Sequence, residues 1–189
     1  MEKDYISTLL RSNNTVFTFK ELSLIWNETD FTLIKKRVYR YTKMGKLYSI
    51  RKGIYAKDKN YDKLELANKI FTPAYISLET VLSREGIVFQ QYDQIFIVSY
   101  LSREISCKGQ TYVFRRMKDV ILTNSQNIEK KGNYYIASKE RAFLDTIYLN
   151  KKYHFDNLSS LEWDVCFEML SIYNNKAMAK RLNSYHKLA

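Results

Sequence analysis

Six polar side chains within twelve residues mark the first place in this chain where chemistry could be done. At about 100° of rotation per helical residue, Thr32, Lys35, Lys36, Tyr39, Arg40 and Lys43 fall on one face of a helix, and Phe31, Ile34, Val38 and Tyr41 on the opposite one. Four of the six are cations, which suits a polyanion. The N-terminal half of such a helix is the part that enters a DNA major groove. Thr32, Lys35, Lys36 and Tyr39 are therefore the candidates for base-edge contact: lysine donates to guanine acceptors, and threonine bonds a base or touches a thymine methyl. Arg40 and Lys43, farther along, are placed for phosphates. At the turn 51–53, Arg51 and Lys52 would grip the DNA backbone or reach the minor groove, with Gly53 permitting the bend. The plainer reading is a packing helix whose lysines are merely solvated. Tyr48 and Tyr55, in the strands flanking the turn, suit core packing or base stacking.

The neighbouring elements are those needed to hold such a helix. Residues 4–11 read as a short amphipathic helix with Tyr5, Ile6, Leu9 and Leu10 inward, and 15–17 as a small strand. Thr18 and Glu21 have the spacing of a capping box, opening a helix through Leu22, Ile25 and Trp26. Residues 27–30 form a polar turn of helix-turn-helix length, in which Thr29 or Asp30 can cap the next helix. Gly45 can take the left-handed conformation that ends it. Strands at 47–50 and 54–56 then flank the basic turn. A cationic helix followed by a basic hairpin is the order of a winged helix-turn-helix.

The distribution of charge agrees with this placement. The formal net charge is +11 over 189 residues, which favours nucleic acid or an anionic surface as partner. Residues 1–60 hold 13 Lys/Arg against 6 Asp/Glu, whereas 61–189 hold 18 against 14. Hydrophobic residues make up 46% with a single proline, the composition of a folded chain rather than a disordered one. No apolar run approaches the roughly 18 residues of a membrane span, and the first ten residues lack a signal-peptide pattern. Cys107 and Cys166 have no framework or ligand spacing, so a cytoplasmic location is expected.

The polar bridge 58–62 is the expected boundary, giving a domain at 1–60 and a second at 61–189. In the second, 63–71 is helical by pattern. Within 75–82 a helix is expected with Ser77 as its N-cap, and Gly86 is its stop. Strands are expected at 95–98, 110–114, 120–122 and 134–136, with helices at 139–148, 158–173 and 176–186. The expected fold class is α+β: a winged helix-turn-helix followed by a mixed α/β domain with terminal helices.

Ser138, Lys139, Glu140, Arg141 and Asp145 form the most polar motif of that second domain. Lys139, Glu140 and Arg141 could present a surface to a protein partner. Alternatively, Ser138 caps a helix on which Arg141 and Asp145 form an i,i+4 pair worth a few tenths of a kcal/mol. Ser77 and Glu79 carry the same two readings. Enzymatic readings find little support. His154 and His186 are the only histidines, neither at metal-ligand spacing from a cysteine, and no Walker loop, GxGxxG or GxSxG occurs. No catalytic residue, metal ligand or cofactor is expected.

Four segments, in order, resemble the AbiEi family of antitoxins from bacterial abortive-infection and type IV toxin–antitoxin systems. They are KKRVYRYTKMGKLYSIRKGIYA (35–56), PAYISLETVLSREGI (73–87), IFIVSYLSREISCKGQTYVFRR (95–116) and YYIASKERAFLDTIY (134–148). The chain departs from the family pattern at Tyr39 and Tyr41 and at Gly86-Ile87. The resemblance implies a winged helix that represses its own operon at inverted repeats on double-stranded DNA. It also implies a C-terminal domain tied to antitoxin activity against a nucleotidyltransferase-like toxin. The neutralisation need not involve a stable complex; direct contact with the toxin, the winged helix serving as scaffold, is the alternative. Two copies on an inverted repeat are expected, as a dimer or as a cooperative pair.

Overall fold

The computed structural model describes residues 5–189, so Asp4 of the first expected helix lies outside the described residues. The chain is mixed α+β and divides into two compact units, the first ending at Ile70 and the second running Phe71–Ala189. Among the described residues no helix is long and apolar enough to cross a membrane.

The first unit runs α1 (Tyr5–Arg11), β1 (Val16–Thr18), α2 (Phe19–Trp26), α3 (Phe31–Lys43), β2 (Tyr48–Arg51), β3 (Ile54–Ala56) and α4 (Lys63–Ile70). Its three strands form an antiparallel sheet in the order β1-β3-β2. The capping box is present in both directions: Glu21 N donates to Thr18 Oγ1 at 3.2 Å, and Thr18 N to Glu21 Oε2 at 2.7 Å. It fixes the start of α2, whose Leu22 and Trp26 join Leu9, Phe17, Ile34, Val38, Tyr41 and Leu47 in one core. Leu10, expected inward, is exposed.

The polar bridge does not end this unit. Asp62 caps α4 through the amides of Leu64 and Glu65, and α4 returns to the sheet. Fully buried Glu65 accepts from the Thr15 amide at 2.9 Å and the Thr15 hydroxyl at 2.6 Å. Lys69 lies 2.9 Å from both Glu65 and Glu21. A buried carboxylate must find such partners, and here they are Thr15, just before β1, and Lys69 of α4, which also reaches Glu21 of α2. The first unit therefore closes ten residues beyond the boundary that composition suggests.

The second unit runs β4 (Ala74–Ile76), α5 (Glu79–Arg84), β5 (Ile95–Ser99), β6 (Arg103–Cys107), β7 (Gln110–Arg116), α6 (Asp119–Leu122), β8 (Ile128–Lys131), β9 (Tyr134–Ala137), α7 (Lys139–Leu149), α8 (Trp163–Glu168), α9 (Leu170–Tyr173) and α10 (Lys176–His186). Its sheet has the order β6-β7-β5-β4-β9-β8, with β5/β7 and β4/β9 parallel and the other pairs antiparallel. Helix α7 is the centre: every residue from Glu140 to Ile147 is buried, and Phe143 meets the rings of Phe155, Trp163 and Tyr185.

Three expectations for this unit are corrected. Residues 74–76 are strand, their backbone pairing with β5 and β9, and α5 begins only at Glu79. Ser77 does not cap it; the position before the helix is Leu78, at φ 57°, ψ −141°, a conformation L-residues rarely hold. Residues 120–122 form a helical turn, Ile121 and Leu122 inward and Val120 out. Such a short apolar run fits either geometry, and periodicity alone does not choose. Finally, 158–162 lie outside any helix, which starts at Trp163.

Candidate functional site

Helix α3 forms because its two faces are chemically distinct and its start is capped. Asp30 Oδ1 accepts from the amides of Thr32 at 2.7 Å and Leu33 at 3.3 Å. Ile34, Val38 and Tyr41 are buried, with Tyr41 edge-on to Trp26 at 6.0 Å. Trp26 is in turn held by its indole N–H donating to the Tyr5 carbonyl at 3.0 Å. Gly45, at φ +68°, ends the helix where a side chain would be strained. Phe31 departs from the inward face assigned to it. It is 61% exposed and stacks on Phe19 at 5.8 Å, since the first helical turn overhangs the core.

With that face anchored, Thr32, Lys35, Lys36, Tyr39, Arg40 and Lys43 are all exposed. Among the described residues, none of the four cations has a carboxylate within ion-pair distance. Lys43 lies 5.7 Å from the Tyr39 ring, and Arg40 lies 5.3 Å from that of Tyr41. Arg37 behaves differently. It pairs with Glu28 at 3.0 Å and stacks 3.9 Å over Tyr5, bracing α3 against the turn before it and α1. The Glu28 carboxyl is held below its ordinary value, first by the Asp30 amide and then by Arg37.

The hairpin is tighter than expected. Only Lys52 and Gly53 lie between the strands, with Gly53 at φ +80° and a register shift between Ser49 and Arg51. Lys52 is the exposed cation at the tip. Arg51 is the last residue of β2 and half-buried, with Nη1 out of solvent, so it is not at the tip. Tyr55 is partly buried, which raises its phenol above the ordinary value, and Tyr48 stacks on Tyr61 at 6.4 Å. What the first unit presents is a row of exposed cations and hydroxyls on one helix, with one further cation on a hairpin.

In the second unit the polar motif turns inward. Arg141 and Asp145 are fully buried, their side chains 3.4 Å apart. Asp145 accepts from the hydroxyls of Tyr173 at 2.7 Å, Ser77 at 2.8 Å and Tyr75 at 2.9 Å. Arg141 donates to the carbonyls of Ile121 at 2.7 Å and Gln126 at 3.1 Å, and to Tyr75 at 3.3 Å. Burial pushes the Asp145 carboxyl above its ordinary value, although Arg141 and the three hydroxyls favour the anion. Burial also opposes charge on Arg141, but Tyr173, Asp145 and Tyr75 outweigh it. Both tyrosines are pushed well above their ordinary value, by burial and then by Asp145.

Two of the three residues assigned to a partner surface are therefore withdrawn from it. Arg141 lies at the heart of this network. Glu140 is buried beside Ser138, whose hydroxyl donates to it at 3.0 Å and caps α7 through the Arg141 amide at 3.2 Å. Lys139 is half-buried and lines an open cleft of about 380 Å³ with Arg84, Lys131 and Ser138. Tyr75 and Tyr173 are network members the sequence does not reveal, being 70 and 28 residues from Asp145. The cysteines are buried, and burial with Glu140 and Glu162 pushes the Cys166 thiol up to about 12. Among the described residues, no three His, Cys, Asp or Glu side chains are grouped to hold a metal ion.

No protein-family model matches the chain, and no characterised protein matches it either.

Proposed function

We propose that the first unit is a winged helix that binds double-stranded DNA through α3, and that the chain is an autorepressor and antitoxin of a bacterial toxin–antitoxin operon. The observation carrying this reading is the exposed face of α3, where Lys35, Lys36, Arg40 and Lys43 stand free of carboxylates. Solvated lysines on a packing helix are usually interspersed with acids; this face has none. The order of helices around β1 and the β2–β3 hairpin supports the reading, as does the resemblance to AbiEi antitoxins. Thr32, Lys35, Lys36 and Tyr39 face the bases, Arg40 and Lys43 the phosphates, and Lys52 the backbone beside the groove. The second unit carries the antitoxin role against a nucleotidyltransferase-like toxin. A second reading, direct contact with that toxin, draws on the open cleft that Lys139 lines together with Arg84 and Lys131.

The test is a gel-shift titration of the full chain against the DNA upstream of its gene and against an unrelated duplex, at two salt concentrations. A preference for the upstream DNA that survives higher salt is expected. Lys35→Ala with Lys36→Ala should remove that preference, and Lys52→Ala should lower the salt slope by about one. Undiminished operator binding by the Lys35/Lys36 double variant would refute the assignment of α3.

A further inference from the structure

The hydrogen-bonding chemistry of the exposed face is one-sided. From Phe31 to Lys57 the chain contains no Asp, Glu, Asn, Gln or His, and it contains nine Lys and Arg. The nearest carboxylates lie in the turn before α3 and are engaged there. Glu28 accepts from the Asp30 amide through Oε1 and from Arg37 through Oε2, and Asp30 Oδ1 caps the helix. The side chains that α3 offers outward are thus cationic donors, two hydroxyls and apolar groups, the last including Leu33 and the Tyr39 ring.

This inventory limits which base edges can be read. In the major groove, cytosine offers an amino donor that Asp or Glu accepts, and adenine a donor–acceptor pair that Asn or Gln matches. Guanine offers two acceptors, and thymine an acceptor and a methyl group. The hydroxyls of Thr32 and Tyr39 can donate or accept, but they lack the separate donor and acceptor atoms with which an Asn or Gln amide matches adenine. Resting on the DNA-reading role proposed above, we propose that α3 reads only the keto member of each base pair it meets, guanine through Lys35 and Lys36 and thymine through Thr32 and Tyr39. The amino groups of adenine and cytosine contribute no contact. A guanine exchanged with its partner sets a cytosine amino donor before Lys35 or Lys36, and a thymine exchanged with its partner loses the methyl contact of Thr32 or Tyr39, so specificity lies in which strand carries the keto base.

Base analogues test this directly. Duplexes are first selected from a random pool by the full chain, and a selected site is then resynthesised with single replacements. Guanine→7-deazaguanine removes the N7 acceptor, and thymine→uracil removes the methyl. Adenine→purine and cytosine→pyrimidin-2-one remove the amino groups. At contacted positions the first two should each weaken binding about tenfold, and the last two by no more than about twofold. The uracil effect should vanish in the Thr32→Ser, Tyr39→Ser double variant, both positions being exposed. An amino-group removal costing as much as a keto change would overturn the inference while leaving specific DNA binding intact. A pool that yields no enriched sequence would overturn the DNA-reading role itself, and this inference with it.

Discussion

Replacing Asp145 by alanine should unfold the second unit far more readily than an ordinary helix ion pair would suggest. The i,i+4 spacing of Arg141 and Asp145 on an exposed helix is worth a few tenths of a kcal/mol, but both are fully buried. Removing the carboxylate leaves three hydroxyls without their acceptor. Hydroxyls can rotate toward other partners, so those losses do not simply add. The larger effect is the guanidinium left buried without its counter-charge, for which loss of one partner costs about 3–5 kcal/mol. Arg141 keeps its bonds to the Ile121 and Gln126 carbonyls, which places the cost near the lower end, about 3 kcal/mol. Urea unfolding followed by Trp163 fluorescence, in a Trp26→Phe background, measures it in the unit concerned. The reasoning also requires that Arg141→Met with Asp145→Leu cost less than Asp145→Ala alone, because no buried charge then remains. A loss below about 1 kcal/mol for Asp145→Ala, or a double variant costing the sum of the singles, would refute it.

The tyrosines of the same network give a pH dependence of definite sign. Tyr75 and Tyr173 are raised above 10.0 in the folded state, so the folded chain holds their protons where the unfolded chain releases them. Their contribution is present below pH 10 and declines as pH rises through the elevated folded values; urea midpoints measured from pH 8 upward should fall, less steeply in Tyr75→Phe. In the first unit, Thr18→Ala removes one half of the capping box and should cost about 1 kcal/mol, read as a lowered urea midpoint at Trp26.

How much of this was legible in the sequence follows from the range of each interaction. The capping box at Thr18 and Glu21, a cap for α3 at Thr29 or Asp30, the Gly45 stop and the two faces of α3 depend on residues at most eleven apart. Backbone geometry alone brings such residues together, so the sequence determined them. The cationic face of the candidate site belongs to this class, because an exposed surface needs nothing from distant segments except a buried opposite side. Arg37 shows the limit: its partners Glu28 and Tyr5 are set by how α1 and the turn pack, and nothing in its spacing separates it from Lys36.

What only the tertiary structure decided involves pairing across long stretches of chain. Residues 74–76 became a strand because β5 and β9 supply their hydrogen-bond partners. Glu65 drew α4 into the first unit because its Oε2 accepts twice from Thr15, fifty residues earlier. Arg141 and Glu140 read as surface in a motif rich in charge, yet the fold buries them. Burial of a charge is tolerable only when carbonyls, hydroxyls and a counter-ion converge on it, and here they come from β4, α6, α9 and the segment before β8. Spacing along one helix cannot specify that convergence; the packing of the second unit does.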